Sequence, residues 1–299
     1  MRPCIIFNPT ARGDKARKLR DHLDALASEC VLRPTTGPRA ACGLAREAVE
    51  QGFDTLVAAG GDGTVNEVLN GMASAPDGLE RARLAILPFG TMNVFARELS
   101  LPLDLPSAWR VIKEGRETRI DLPQAAHGPQ DTPIQTRFAQ MAGAGLDSRA
   151  IALVDWRLKK RLGPLAYVIA GLRALSGSQP LITVQAGPHL ATGELVLIGN
   201  GRFYGGHLPI FPDADCRDAL LEVKVFPRTN WVALLRFGWS WSSRRPFHIR
   251  GEQSFRVQTL TLTSNEPVPF EVDGDNVGHL PATFSVRQRA LRVVVRASA

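Results

Sequence analysis

Cysteine and long apolar runs are both scarce in this sequence. Its four cysteines, Cys4, Cys30, Cys42 and Cys216, show neither close pairing nor metal-ligand spacing, which argues against a disulfide scaffold and a cysteine zinc site. The longest apolar stretch, 164–175, is shorter than the roughly 20 residues that a membrane-spanning helix needs. We therefore expect a cytoplasmic protein that does not cross a membrane.

Acidic residues are also fewer than basic ones. The 299 residues include 29 Asp and Glu against 36 Lys and Arg, a formal net charge of +7. The excess is typical of a charge that keeps a protein in solution, and equally of attraction to an anionic partner such as a membrane surface, a nucleotide or a nucleic acid. The length allows two domains, each with its own core.

Strand and helix patterns alternate over the first third of the chain. Apolar runs predict strands at 4–8, 30–33, 53–59 and 84–87, and helical spacing predicts helices at 15–27, 39–51, 64–73 and 91–99. This order predicts an α/β domain with a mostly parallel sheet. Ligands of such sheets lie beyond the carboxyl ends of the strands. The polar turns expected there are Asn8–Gly13, Gly60–Thr64 and Phe89–Asn93.

The character of the chain changes near Asp121. We interpret Pro123–Pro133 as a linker, followed by a helical segment at 151–176 and by short β-like runs at 137–142, 181–185, 193–199, 220–226, 255–263, 267–272 and 292–296. These runs predict a mainly antiparallel β-sandwich. The predicted domains are residues 1–122 and 123–299, and the last strand is free to pack back on the first domain.

The turn Gly60-Gly61-Asp62-Gly63-Thr64 is the most informative segment. A buried strand, a glycine turn and a helix start together form an anion site, because glycines and free N–H groups let phosphate approach the backbone. An aspartate there repels phosphate unless it holds a metal ion or a hydroxyl. This combination favours a kinase.

Six motifs together resemble the diacylglycerol kinase family, in particular the small bacterial lipid kinases related to sphingosine and ceramide kinases. In chain order they are Asn8–Gly13, Gly60–Glu67, Leu87–Ala96, Gly163–Tyr167, Gly199–Gly206 and Val272–Asp275. The resemblance implies the two-domain fold of NAD kinases and diacylglycerol kinases, with ATP and Mg²⁺ as cofactors. NAD kinases share the glycine turn, but the fourth and fifth motifs disfavour an NAD kinase.

The resemblance also implies which residues contact ATP. They are Asn8, Thr10, Thr35, Gly61, Asp62, Gly63, Thr64, Val65, Asn66, Glu67, Thr91 and Asn93. Local structure offers alternatives: Thr64 and Thr91 suit helix caps, Asp62 suits an Asx turn, and Glu67 suits the dipole of its helix. Thr36 is a close rival of Thr35.

The catalytic residues implied by the resemblance are Asp62, Asp273 and Asp275. Asp62 would act with Mg²⁺ or the ATP phosphates. Asp275 stands where the family has a Glu that serves as general base, so it is the expected base, although it is one methylene shorter. Asp273 is the alternative base, or a metal ligand through water.

The segment 211–223 resembles the family's structural magnesium site. The carboxylate would come from Asp218 and carbonyl oxygens from Asp215 and Leu220, an oxygen shell that suits Mg²⁺. Ala219 replaces the family's Gly, and Ala is strained there if the position needs a positive φ. A solvated, Asp-rich turn is the alternative.

Two segments combine basic and aromatic residues, as membrane-interface segments do. For 156–176 a membrane helix and a core helix are equally compatible with the sequence, whereas for 231–241 we favour tryptophans that pack. We expect peripheral contact with the inner membrane surface and a lipid substrate at an anionic surface. No nucleic-acid-binding motif is present, so no nucleic-acid partner is expected. A homodimer is compatible with the sequence.

The sequence therefore predicts an ATP- and Mg²⁺-dependent kinase that phosphorylates the hydroxyl of diacylglycerol or a similar lipid. A sphingoid-base or ceramide kinase uses the same chemistry and stays an alternative. A catalytically inactive lipid- or nucleotide-binding regulator is the other alternative, since Asp275 and Ala219 depart from the family pattern.

Overall fold

A computed structural model gives the structure of the protein and describes residues 2–9, 23, 26, 29–146, 148, 179–243 and 245–297. Several predicted features lie outside these residues. They are Thr10 and the rest of the turn to Gly13, most of the helix at 15–27, the helical segment at 151–176, and the motif Gly163–Tyr167.

The strands are β1 (Pro3–Phe7), β2 (Val31–Pro34), β3 (Thr55–Gly60), β4 (Arg83–Pro88), β5 (Arg116–His127), β6 (Ile134–Arg137), β7 (Met141–Gly145), β8 (Ile182–Ala186), β9 (His189–Gly193), β10 (Leu195–Gly199), β11 (Phe203–Tyr204), β12 (Leu208–Pro209), β13 (Leu221–Phe226), β14 (Gln253–Val257), β15 (Thr259–Ser264), β16 (Pro269–Val272), β17 (Asp275–His279) and β18 (Ala282–Val295). The helices are α1 (Ala40–Glu50), α2 (Asp62–Ser74), α3 (Gly78–Arg81), α4 (Val94–Glu98), α5 (Leu105–Glu114) and α6 (Trp231–Ser243).

The chain divides into two compact units. The N-terminal unit comprises Met1–Leu122 with Gln288–Ala299, and the C-terminal unit comprises Pro123–Arg287. The division falls within β5 and β18, so each of these strands contributes residues to both units.

A parallel sheet forms the centre of the N-terminal unit. Its strand order is β2-β1-β3-β4, and every pair along this path is parallel. The C-terminal end of β18 extends it, with Val293 beside Leu84 of β4. The inner strands are buried along almost their whole length, as expected when helices cover both faces of a parallel sheet. The predicted α/β domain with a mostly parallel sheet is confirmed.

One side of this sheet packs on α5. Ile5, Val57 and Ala85 form a single cluster with Trp109 and Ile112 of that helix. Within single strands the cluster takes every second residue, Val57 with Ala59 and Ala85 with Leu87. This spacing is required when one face of a strand contacts one helix. The packing holds the strands in register and thereby fixes where their carboxyl ends lie.

The C-terminal unit is built from two layers of antiparallel strands. One sheet has the order β14-β13-β10-β7-β16-β17. The other layer includes the start of β18 beside β15, then β8 and β9, with β5 pairing β6. Buried residues of both layers, among them Phe138, Val196, Phe270 and Phe284, form one core. The predicted antiparallel β-sandwich is confirmed.

The predicted linker at 123–133 is wrong over its first half. Residues up to His127 belong to β5 and pair with β6, Gln124 beside Arg137. Proline and glutamine made the composition loop-like, but pairing with a neighbouring strand overrides such weak local preferences. Only residues 128–133 connect the two strands.

Two predicted β runs are also divided differently. The run at 137–142 covers the end of β6 and the start of β7, and the run at 255–263 is two strands that meet at Gln258. The last predicted strand, 292–296, is the end of the much longer β18. Within the described residues, no helix is both long and apolar enough to cross a bilayer.

Candidate active site

The carboxyl ends of four neighbouring parallel strands meet at one edge of the N-terminal sheet. Asn8 follows β1, Thr35 follows β2, Gly61 follows β3 and Phe89 follows β4. We call these positions and the turns that continue them the strand-end edge. The chain runs from β1 to β2 in one direction across the sheet and from β3 to β4 in the other, and the opening at such a switch point is where α/β sheets bind ligands.

Two glycine turns touch each other at this edge. A Cβ at Gly90 would lie 2.4 Å from the Cα of Gly61, closer than real Cβ contacts allow. The Phe89 N–H also donates to the Gly60 carbonyl at 2.9 Å. The turns after β3 and β4 therefore pack backbone against backbone, and only glycine at position 90 permits this approach.

The glycine turn after β3 leads directly into α2. This helix begins at Asp62, with Gly61 as its N-cap, rather than at Thr64 as the sequence predicted. The Val65 N–H donates to the Gly61 carbonyl at 3.1 Å, so Gly63 and Thr64 lie in the first turn. N–H groups of a first helical turn have no acceptor within the helix and can bind an anion. Thr64 is thus not the helix cap.

Asp62 joins the two turns. Its Oδ1 accepts the backbone N–H of Phe95, in the first turn of α4, at 3.1 Å. Burial raises the pKa of the Asp62 carboxyl, and the N–H groups of Phe95, Val94 and Asn93 oppose that rise. The groups that hold this carboxylate are backbone dipoles rather than cations, and no sequence pattern indicated α4 as their source.

Asn93 closes the turn after β4. Its backbone is left-handed, with φ 50°, and it is the N-cap of α4. Its side chain accepts from the Gly90 N–H at 2.8 Å and donates to the Gly90 carbonyl at 2.9 Å. The alternative in which Thr91 caps this helix is therefore wrong. Thr91 is exposed at the strand-end edge.

Glu67 contacts a neighbouring helix. Its two carboxylate oxygens accept the N–H groups of Arg39 at 3.1 Å and Ala41 at 3.0 Å, at the start of α1. Arg39, the N-cap of α1, makes no capping bond of its own, so Glu67 supplies the missing acceptors. Asn66, one residue earlier, is buried, and its side-chain Oδ1 accepts a hydrogen bond from Asn70 Nδ2 at 3.1 Å.

The remaining predicted nucleotide contacts differ in exposure. Thr35 is buried and its N–H donates to the Phe7 carbonyl at 2.8 Å, whereas Thr36 and Asn8 are exposed. Val65 is buried. Contact of these residues with a nucleotide stays a prediction, and so does the role of Thr10.

In the C-terminal unit, Asp273 and Gly274 form a two-residue hairpin turn between β16 and β17. Val272 pairs with Asp275, and both turn residues have positive φ, 48° and 91°, as in a type I′ turn. The Asp273 carboxylate accepts three backbone N–H groups, from Ala139 at 2.7 Å, Gln140 at 2.9 Å and Met141 at 3.1 Å. It is therefore held firmly against the start of β7.

Asp275 differs from Asp273 because its side chain is exposed at the start of β17. A second carboxylate, which no sequence pattern indicated, supports the same turn. Glu271 is buried in β16, and its Oε2 accepts the Gly274 N–H at 2.6 Å. The hairpin thus fixes its backbone with two carboxylates and exposes a third.

The loop predicted to hold structural magnesium carries its own cation. One oxygen of Asp218 accepts the Leu220 N–H at 2.9 Å, and the other pairs with Arg256. Arg256 also lies 3.9 Å from Glu222, whose pKa is raised by burial. Within the described residues, no three His, Cys, Asp or Glu side chains are grouped to hold a metal. Both oxygens of the Asp218 carboxylate thus accept hydrogen bonds within the protein.

Asp215 and Ala219 belong to the same loop. The Asp215 carbonyl accepts the Asp218 N–H at 3.3 Å. Ala219 has φ 62°, the left-handed conformation in which we expected alanine to be strained. The magnesium assignment of Asp215, Asp218 and Leu220 stays a prediction.

Comparison with known proteins gives the same picture in both units. Residues 2–125 match the model of the diacylglycerol kinase catalytic domain, and residues 140–295 match that of the YegS C-terminal NAD kinase beta sandwich-like domain. A crystal structure of a diacylglycerol kinase from Bacillus anthracis str. Sterne has a TM-score of 0.72 at 21% identity, over 99% of this chain and 97% of that chain. At this identity the likeness shows the fold alone.

Two curated relatives are similar over nearly the whole chain. The diacylglycerol kinase of Staphylococcus saprophyticus subsp. saprophyticus is 31% identical over 295 residues, which cover 94% of this chain and 90% of the relative. That of Bacillus subtilis (strain 168) is 28% identical over 301 residues, 97% of this chain and 95% of the relative. The chain therefore belongs to the diacylglycerol kinase family, a family of kinases.

Proposed function

We propose that the protein transfers the γ-phosphoryl group of ATP to the hydroxyl of diacylglycerol or a similar lipid. The observation that carries the proposal is the pair of touching glycine turns at the strand-end edge, Gly60–Thr64 and Phe89–Asn93. A phosphate needs this kind of surface, because it is approached by backbone N–H groups with no side chain in the way.

ATP would lie along the strand-end edge. The first-turn N–H groups of α2, at Gly63 and Thr64, would donate to its phosphates, and the exposed Thr91 and Asn8 would contact other parts of the nucleotide. Glu67 and Asn93 would act as positioning residues, since their side chains hold the start of α1 and the second glycine turn.

Mg²⁺ would be held with the ATP phosphates at Asp62. This carboxylate suits a cation, because burial destabilises its negative charge and only backbone N–H groups stabilise that charge. When bound, Mg²⁺ neutralises charge on the β- and γ-phosphate oxygens. Asp62 has a second role, since its bond to Phe95 keeps the two glycine turns together.

Asp275 is the proposed general base. The lipid hydroxyl passes its proton to the Asp275 carboxylate while its oxygen bonds to the γ-phosphorus, and the bond from that phosphorus to the β–γ bridging oxygen breaks to release ADP. Asp273 is less suited, since its oxygens already accept three N–H groups. Asp275 is exposed in the same hairpin.

The lipid acceptor is proposed from the family. The relatives are named diacylglycerol kinases, and sphingoid bases and ceramide present a hydroxyl of similar kind. Peripheral contact with an anionic membrane would bring any of these lipids to the enzyme.

The test is transfer of label from γ-labelled ATP, with Mg²⁺, to lipids in mixed detergent micelles. Diacylglycerol, monoacylglycerol, ceramide and sphingosine are offered separately to the wild type, D62A and D275A. Labelled phosphatidate from the wild type alone is the expected result. Label on another lipid would keep the reaction and change the acceptor. A folded wild type that binds ATP and labels no lipid would contradict the proposal and favour an inactive regulator.

A further inference from the structure

Helix α6 presents an apolar face to solvent. Trp231, Leu235 and Trp239, spaced by four residues, are exposed by 65%, 65% and 58%, and Val232 beside them by 37%. Residues four apart lie on one side of a helix, so these side chains form one continuous strip. We call these four residues the tryptophan face.

The opposite side of α6 is fixed to the C-terminal unit. Phe237 packs edge-on against Phe247 and Tyr204, with ring centroids 5.5 and 5.6 Å apart. The Trp241 indole N–H donates to the Gly205 carbonyl at 2.9 Å. The expectation that tryptophans of this segment pack is therefore right for Trp241 and wrong for Trp231 and Trp239. The helix is held rigidly while its tryptophan face stays uncovered.

A basic cavity adjoins the same helix. It has a volume of about 370 Å³, and the residues that line it include Arg228, Arg236 and Arg250 together with Val232 and Ile249. None of its lining residues is acidic. Three arginines lining one cavity suit a phosphate, which Arg can bind in a bidentate manner. Val232 belongs to both the cavity and the tryptophan face, so the two features are continuous.

The sequence around α6 is rich in arginine, and the nearby carboxylates of Glu194 and Glu252 accept the backbone N–H groups of Thr229 and Ile249. Positions 228–251 contain five arginines and neither Asp nor Glu. The Arg245 guanidinium lies 5.5 Å from the ring centroid of Trp239, so a cation is placed at the border of the apolar strip. Tryptophan and leucine flanked by arginine is the composition of helices that lie in the headgroup region of a bilayer.

We infer that the tryptophan face and the arginine cavity together dock the protein on an anionic phospholipid bilayer. The tryptophan face would enter the boundary between headgroups and acyl chains, and the cavity would receive a phospholipid headgroup phosphate. Charge complementarity selects the bilayer as the occupant, since five arginines and no acidic residue lie within positions 228–251 and an anionic leaflet attracts arginines. The inference rests on the proposed function only in that a lipid kinase must reach a membrane.

The experiment measures sedimentation of the full-length protein with large unilamellar vesicles, without ATP or diacylglycerol. Vesicles of phosphatidylcholine are compared with vesicles that contain about 30% phosphatidylglycerol. We expect binding to the anionic vesicles and a blue shift of tryptophan emission as Trp231 and Trp239 leave water. Replacing both in W231A/W239A should lower the partition coefficient about 10-fold or more. Removing two charges in R228Q/R236Q should lower it about 30-fold, about 5-fold per arginine.

Matched controls carry the same kinds of change elsewhere. L190A removes an equally exposed apolar side chain on β9, where Leu190 is 67% exposed, and R110Q removes an exposed arginine on α5. Both should bind vesicles like the wild type. Equal binding to neutral and anionic vesicles, or wild-type binding by W231A/W239A with an unchanged unfolding temperature, would overturn the inference.

Activity toward a short-chain, monomeric diacylglycerol separates this inference from the proposed function. Variants of the tryptophan face should phosphorylate that substrate like the wild type, because it needs no bilayer. Vesicle binding without phosphorylation of any lipid would contradict the proposed function and leave the docking surface standing. Phosphorylation of a lipid without vesicle binding would support the proposed function and contradict the docking surface.

Discussion

Asp62-Gly63 in the N-terminal unit and Asp273-Gly274 in the C-terminal unit are the same dipeptide in two different settings. The first opens helix α2, and the second forms a hairpin turn with both residues at positive φ. Yet each aspartate accepts backbone N–H groups from a distant segment, Asp62 from the start of α4 and Asp273 from the start of β7.

The difference lies in what surrounds the two carboxylates. Asp62 is desolvated, its pKa is raised by burial, and it stands in the first of two glycine turns that touch each other. Asp273 is held by three N–H groups, and an exposed Asp275 follows it two residues later. Asp273 therefore holds the backbone of its hairpin, whereas Asp275 in the same motif is exposed to solvent.

The largest effect expected is on the base. D275N should lower kcat about 10²- to 10⁴-fold, the usual contribution of a general base. The unfolding temperature should stay near that of the wild type, because the side chain is exposed. D273N is the matched variant, since Asn tolerates positive φ and keeps one acceptor oxygen. Full activity in D275N would contradict the assignment of the base to Asp275, whereas loss of activity in D273N alone would also follow from a disturbed hairpin.

The hairpin should depend on Asp273 for stability. D273A leaves three N–H groups without their acceptor and places alanine at φ 48°. We expect a loss of about 3 kcal/mol in the free energy of unfolding, measured by urea denaturation. D275A, two residues away, is the control and should lose far less. Equal stabilities for the two variants would contradict the role given to Asp273.

A smaller loss is expected from Glu67. E67A removes the acceptor for two N–H groups at the start of α1, and loss of a helix cap costs about 1 kcal/mol. E114A, at an exposed position of α5, provides the comparison. If E67A abolished ATP binding without changing the stability, Glu67 would contact the nucleotide rather than cap the helix.

Arg256 should make the Asp218 loop independent of Mg²⁺. The chelator EDTA should leave the unfolding temperature of the nucleotide-free wild type unchanged. R256Q should lose about 0.5–1 kcal/mol, typical of a partly exposed ion pair, and Mg²⁺ should then raise its unfolding temperature. R217Q, at an exposed position of the same loop, is the control. A wild type destabilised by EDTA would instead support the predicted magnesium site.

The smallest effect expected is the change with pH in the contribution of Asp62 to the free energy of unfolding. Because folding raises its pKa, the contribution of Asp62 to stability is present below the ordinary Asp pKa and is lost as pH rises through the raised value. The stability of the wild type relative to D62N should therefore fall as pH rises from 4 to 8, as measured by urea denaturation. A relative stability that rises over this range would contradict the burial of the carboxylate.

Local patterns predicted the elements that build the strand-end edge. The apolar run 53–59, broken by glycines, placed β3 and its turn within one or two residues of the structure. The order of strands and helices gave the parallel sheet, because such an alternation has few other solutions. In the second half, β-like runs separated by turn residues gave the sandwich.

The contacts that assign roles could not be predicted in this way. Phe95 is 33 residues from Asp62, and Glu67 is 26 residues from Ala41, so no local pattern joins these partners. Trp239 and Trp241 have the same composition around them, yet one is exposed and the other packs on Gly205. The rotation of α6 against the C-terminal unit decides between them.

Hydrogen–deuterium exchange with and without a non-hydrolysable ATP analogue and Mg²⁺ tests the central claim most directly. If ATP binds at the strand-end edge, amides of Gly60–Val65 and Phe89–Phe95 should exchange more slowly with the analogue, while those of β8 and β9 stay unchanged. Protection confined to the C-terminal unit, or unchanged exchange in both glycine turns at a saturating analogue concentration, would contradict the account.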